Sequence, residues 1–134
     1  MMGTRSLTVF KYTNEKEIVV MYRQFDGYPE GHGLELADFL DGIKMVNGIP
    51  GWSESSRLAN GMGCLAAQTI SQFKDGVGGI YLYPAGTRDC WEDFIYTVTG
   101  KEGESPLMTV TDSRGKTLFN GSPSDFKDWL KEND

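Results

Sequence analysis

Eleven consecutive residues, Arg23-Gln24-Phe25-Asp26-Gly27-Tyr28-Pro29-Glu30-Gly31-His32-Gly33, concentrate side chains that could do chemistry. They hold a guanidinium, two carboxylates, a phenol, three glycines and the only histidine of the chain. Gly31-His32-Gly33 precedes an apolar helical pattern, so its backbone N–H groups and the helix dipole would favour an anion. Arg23 could then grip a phosphate while Tyr28 stacks a base. A second chemistry uses Asp26, Glu30 and His32 as hard-metal ligands for phosphodiester hydrolysis. One histidine cannot supply a two-histidine metal site or a histidine dyad within a chain. A third reading needs no ligand: Pro29 and the glycines shape a strand-to-helix corner.

Two further stretches carry similar residue types. Tyr81-Leu82-Tyr83-Pro84-Ala85-Gly86-Thr87-Arg88-Asp89-Cys90-Trp91 offers Tyr83 and Trp91 for stacking, with Thr87 and Arg88 for a phosphate. Ala59-Asn60-Gly61-Met62-Gly63-Cys64 is a glycine-rich helix entry, but it lacks the Gly-Lys-Ser/Thr ending of a nucleoside triphosphatase loop. Trp52, after Pro50-Gly51, could close over a site as a lid. Among the five arginines, Arg5, Arg23 and Arg88 lie in glycine- and aromatic-rich segments and are the candidate phosphate contacts. Pairing with nearby acids is the alternative for each. Cys64 and Cys90 form no disulfide framework and match no cysteine-protease signature.

The elements that would position these groups follow from periodicity. Ser6–Tyr12 and Ile18–Phe25 alternate as strands around the polar turn 13–17, which predicts a hairpin. Arg23 shares a face of the second strand with Val19, Met21 and Phe25; Tyr22 points the other way with Val20 and Gln24. A helix is expected over about Gly33–Asp41, and another from between Ser53 and Gly63 to Phe73, stopped by Lys74-Asp75-Gly76. Strands are expected at Ile80–Tyr83, Trp91–Thr99, Leu107–Thr111 and Lys116–Phe119, with hairpin turns between the last three. Ser122, Pro123 and Asp125 mark the start of a closing helix whose apolar side is Phe126, Trp129 and Leu130. The fold class is therefore α+β: an antiparallel sheet of about six strands, two helices inserted after the first hairpin, and a C-terminal helix. One domain over residues 1–134 is expected.

The net charge of −6 argues against binding of long nucleic acid, which requires a basic face. No apolar run reaches the length of a membrane span and no signal-peptide core begins the chain, so a soluble protein of a reducing cytosol is expected. No cofactor motif is present.

Gly3-Thr4-Arg5-Ser6-Leu7-Thr8, the Arg23–Gly33 turn, Val46-Asn47-Gly48, Asn60–Gln68 and Gly79–Asp89 together resemble a widespread family of small phage and prophage proteins, mostly without assigned function, that share a central Asp-Gly-Tyr-Pro turn. Phage proteins of this size without catalytic clusters include anti-CBASS sponges, which sequester immune cyclic nucleotides such as 3′3′-cGAMP. By that association the resemblance implies a non-enzymatic sponge in the cytoplasm of the infected bacterium. Arg5, Arg23, Tyr28, His32, Trp52, Tyr83, Thr87, Arg88 and Trp91 would be its ligand contacts. Enclosing a ligand of about 45 non-hydrogen atoms at nanomolar affinity, about −12 kcal/mol, is easiest between subunits, so a homo-oligomer is expected. A metal-dependent phosphodiesterase or nucleotide hydrolase, and a protein-inhibitor module without a small ligand, are the alternatives.

Overall fold

The computed structural model describes residues 3–48 and 57–133. Its elements in chain order are β1 (Ser6–Lys11), β2 (Glu17–Arg23), one wide π-type turn (Pro29–Gly33), α1 (Leu34–Leu40), β3 (Lys44–Val46), β4 (Leu58–Asn60), α2 (Gly61–Phe73), β5 (Ile80–Pro84), β6 (Phe94–Thr99), β7 (Leu107–Asp112), β8 (Thr117–Gly121) and α3 (Pro123–Glu132). Six strands form one sheet in the order β5-β2-β1-β6-β7-β8, and β3 and β4 pair separately. The class is α+β, as the residue pattern requires.

The sheet is mixed rather than wholly antiparallel. The β1–β2 hairpin and the β6-β7-β8 meander have the expected antiparallel pairing. The two blocks join through β1 and β6, which run parallel, with Ser6 opposite Phe94 and Phe10 opposite Val98. Tight turns dictate the direction of strands that follow one another, but a long connection through helices leaves direction to packing. For the same reason β5 pairs antiparallel with β2, on the far edge from the meander that follows it. β6 starts at Phe94 instead of Trp91, because Asp89 (φ 62°) and Trp91 (φ 61°) take left-handed backbone that no strand tolerates. The wide turn ahead of α1 and the short parallel β3–β4 ladder are additional to the expected elements.

Alternation sends Phe10, Met21, Tyr96, Val98, Met108 and Val110 to one face of the sheet, where α1, α2 and α3 bury them with Leu36, Leu40, Leu65 and Phe126. Leu7, Val9 and Val20 are buried on the opposite face, under Tyr22, Cys90 and Ile95. α3 is capped as its sequence foretells, the Asp125 N–H donating to Ser122 Oγ at 3.0 Å. Its Phe126 ring leaves no room beside Gly33, where a Cβ would lie 2.8 Å from Phe126 Cζ and 3.0 Å from Tyr96 Cε1. Among the described residues no helix is long and apolar enough to cross a membrane.

Phe126→Ala opens a cavity in this layer and should destabilise the fold by ~3–5 kcal/mol. Ser122→Ala removes one cap and should cost ~1 kcal/mol. Urea unfolding midpoints at unchanged m-value measure both.

Candidate ligand cleft at the central turn

Residues 24–33 fold back onto the sheet because Gly27 lies against β1. A Cβ there would stand 2.8 Å from both the Arg5 carbonyl carbon and Ser6 Cβ. Gly27 N–H donates to Thr4 O at 2.9 Å, and the Tyr96 hydroxyl donates to Gly27 O at 2.7 Å. Asp26 turns the chain with φ 62°, a conformation Asp tolerates better than most residues. The amides expected to cradle an anion are used inside the turn. Gly31 N–H donates to Tyr28 O at 2.9 Å, His32 N–H to Asp26 O at 2.7 Å and Gly33 N–H to Tyr28 O at 3.4 Å. That expectation is corrected: the wide turn closes on itself, so these donors do not face outward.

The turn carries His32 into the core, fully buried between the rings of Phe73 and Tyr96, each 5.0 Å from it by centroid. Its Nδ1 lies 3.0 Å from Arg23 Nη1 and its Nε2 lies 2.7 Å from Thr8 Oγ1. A guanidinium only donates, so Nδ1 accepts from Arg23 and the proton sits on Nε2, donated to Thr8. Burial first, and then the Arg23 charge, lower the imidazole pKa from 6.5 to about 3. Both ring nitrogens are engaged and the ring is neutral. His32 therefore reaches a ligand only through Arg23, and serving as metal ligand or general base would break this pair of bonds. Among the described residues no three His, Cys, Asp or Glu side chains group closely enough to hold a metal ion.

Arg23 stands where the buried relay meets solvent. Nη1 also donates to Glu35 Oε1 at 2.6 Å, Nη2 lies 4.0 Å from Asp26 Oδ2, and the guanidinium sits 5.7 Å over the Phe73 ring. Beyond it opens a cleft of about 700 Å³ between α1, the end of α2 and the start of β5. Arg23 and Arg57 line it with guanidinium groups, and Phe25, Phe39 and Phe73 with rings. Asp26, Glu35, Asp38 and Asp75 add four carboxylates, so the lining carries two positive and four negative charges. Arg57 Nη2 is steadied by the Asp41 carbonyl. Asp38 and Asp41 share Lys127, at 3.0 and 2.9 Å.

The other expected contacts lie elsewhere. Arg88 forks onto Glu17, with Nη2–Oε2 2.8 Å and Nη1–Oε1 3.3 Å, while Gly86 N–H donates to the same carboxylate at 2.8 Å. The Arg88 bond is the main reason the Glu17 carboxyl is held below its ordinary range. Glu17 begins β2 and Arg23 ends it. Six residue steps at about 3.3 Å separate them by roughly 20 Å. Within one chain Arg88 and Arg23 therefore do not converge, contrary to the expectation of one shared hollow. Strand alternation assigns a residue to a face, and only the β2–β5 register reveals to which end.

Arg5 sits next to Ser6, which pairs with Arg23, so it occupies the cleft's end of the sheet. There its N–H donates to Asp93 Oδ2 at 3.2 Å and its carbonyl accepts from Asp93 N–H at 2.8 Å. Tyr83 belongs to the opposite sheet face, its ring 6.0 Å from that of Tyr22. Thr87 Oγ1 donates to Pro84 O at 2.7 Å. Trp91 is 83% exposed and borders a separate hollow with Asp89, Glu92 and Ser113, where carboxylates oppose a phosphate. Tyr28 is partly exposed beside the turn. Trp52 lies outside the described residues.

Sequence reasoning brought Arg23 and Asp26 to the cleft and missed Arg57, Glu35, Phe73 and Asp75. Glu35 reads as a solvent-facing helix residue, Phe73 as core and Asp75 as part of a helix stop. Arg57 has no local signal. Compared with protein-family models, with curated proteins and with solved structures, the chain gives no match.

Because His32 is the only histidine, its imidazole resonance is unambiguous. It should not titrate between pH 8 and 5, as followed by NMR. Below pH 6.5 the unfolded chain takes up a proton that folded His32 does not until about pH 3. Stability should therefore decrease as the pH is lowered from about 6.5 towards 3, by roughly 1 kcal/mol per pH unit from this group. An imidazole shift centred near pH 6.5 would refute the arrangement.

Proposed function

We propose that this chain binds a small phosphorylated ligand in the cleft beside Arg23, and that the ligand is a cyclic nucleotide held without turnover, as in phage sponges of immune signals. The observation carrying this reading is the cleft itself. About 700 Å³ falls within the ~300–1,000 Å³ range of small-molecule sites. Two guanidinium groups suited to phosphate and three phenyl rings suited to stacking border one space.

The lining also sets a condition on the ligand. With two guanidinium groups against four carboxylates, charge alone would not retain a bare polyphosphate. A nucleotide meets the condition because its bases present N–H donors that carboxylates accept. Arg57 would take the phosphate most directly, since Arg23 already serves His32 and Glu35. Phe25, 52% exposed at the rim, leaves apolar surface that a second copy of the chain would cover while completing the enclosure. On this reading the protein is a homo-oligomer acting in the cytoplasm of a phage-infected bacterium, and it belongs with the phage and prophage proteins it resembles.

Native mass spectrometry of freshly purified protein should show a co-purified nucleotide, released unchanged on denaturation. Arg57→Ala removes a charge-assisted contact and should weaken retention about ten- to a hundredfold. Arg88→Ala, at the other end of β2, should leave retention unchanged if the site lies within one chain. Recovery of a hydrolysed product would replace binding with catalysis.

A further inference from the structure

Three of the four carboxylates in the cleft have cationic partners. Glu35 lies 2.6 Å and Asp26 4.0 Å from Arg23, and Asp38 lies 3.0 Å from Lys127. Asp75 has no cation within ion-pair distance among the described residues. Its neighbour Lys74 does not supply one, because that amine donates to Gly78 O at 3.0 Å and Ile80 O at 2.9 Å. Nor does Asp75 serve its own helix. It follows the C-terminus of α2, where the last carbonyls disfavour a negative side chain. Asp75 is thus an exposed carboxylate with no ionic partner among the described residues, lining a cleft that also holds two guanidinium groups.

A carboxylate with both oxygens available accepts two parallel N–H donors. Guanine offers such a pair on one edge, the ring N1–H and the exocyclic amino group. Inosine keeps only the ring N–H. Adenine sets a ring acceptor beside its amino group, and that lone pair would face the carboxylate. We infer that Asp75 selects the ligand of this cleft by a paired N–H edge of the guanine type, while Arg57 and Arg23 take its anionic group. The inference rests on the small-ligand reading above and adds to it the base and the residue that reads it.

Equilibrium dialysis of the full chain against cyclic di-GMP, cyclic di-IMP and cyclic di-AMP tests it, with Asp75→Asn as the variant. The wild type should favour the guanine probe by about tenfold or more over the other two. Asp75→Asn should bind that probe about ten- to a hundredfold more weakly and lose the preference, with its melting temperature unchanged because the side chain is exposed. Equal binding of the three probes by the wild type, or an unaltered guanine preference in Asp75→Asn, overturns the role of Asp75 and leaves the small-ligand reading standing. Binding of none of the three by the wild type also overturns the role of Asp75, and the small-ligand reading then falls if native mass spectrometry shows no co-purified nucleotide.

Discussion

The central turn and the cleft depend on a neutral imidazole sealed between a hydroxyl and a guanidinium. His32 joins Thr8 of β1 to Arg23 of β2, with hydrogen bonds of 2.7 and 3.0 Å. A buried polar group without partners costs a few kcal/mol, so this arrangement holds only because both ring nitrogens are satisfied. The loss of water and, after it, the Arg23 charge beside Nδ1 act in the same direction, and each keeps the proton off. The relay thereby converts sheet packing into the placement of one guanidinium. Thr8 aims His32, His32 aims Arg23, and Arg23 with Glu35 borders the cleft.

The charge around that cation is mixed. The acids of α1 and of the turn already partly neutralise Arg23, and Asp38 and Asp41 hold Lys127 from α3. Arg57 is therefore the guanidinium with the least carboxylate competition in the cleft, steadied by a main-chain carbonyl. An acidic protein can present a localised positive group in this manner without becoming a general polyanion binder. At the opposite end of β2, the Glu17–Arg88 fork and the Gly86 amide tie the β5–β6 connection to the sheet. That pair is partly exposed, and its contribution is positional more than energetic.

The free edge of β5 is also managed. Gln24 N–H donates to Gly79 O, so Tyr81 and Tyr83 direct their backbone groups to β2, while Ile80, Leu82 and Pro84 direct theirs outward. Ile80 N–H is taken by Gly78 O and its carbonyl by Lys74, and Pro84 has no N–H to offer. Only Leu82, in mid-strand, presents an outward donor and acceptor together. A sheet edge blunted at both ends resists extension by another strand. Any assembly of this chain is thus better served by side-chain surfaces than by joining sheets at β5.

Short-range rules determined much of this protein from its letters. The β1–β2 hairpin, the β6-β7-β8 meander, the Ser122 cap and the helix ending at Phe73 all follow from alternation, turn residues and 3.6-residue periodicity. That the Arg23–Gly33 stretch is a special turn was equally legible, but not that its glycines and His32 are spent on building the corner itself. Tertiary structure alone decided that β1 runs parallel to β6, and that β5 crosses to the β2 edge and carries Arg88 away from Arg23. It also decided that His32 is neutral, and that Arg57 and Asp75 meet at one cleft. Pairing between non-consecutive strands is settled by burial over whole surfaces, and a proton's affinity by neighbours far away in the chain. Neither quantity is written in any local window of sequence.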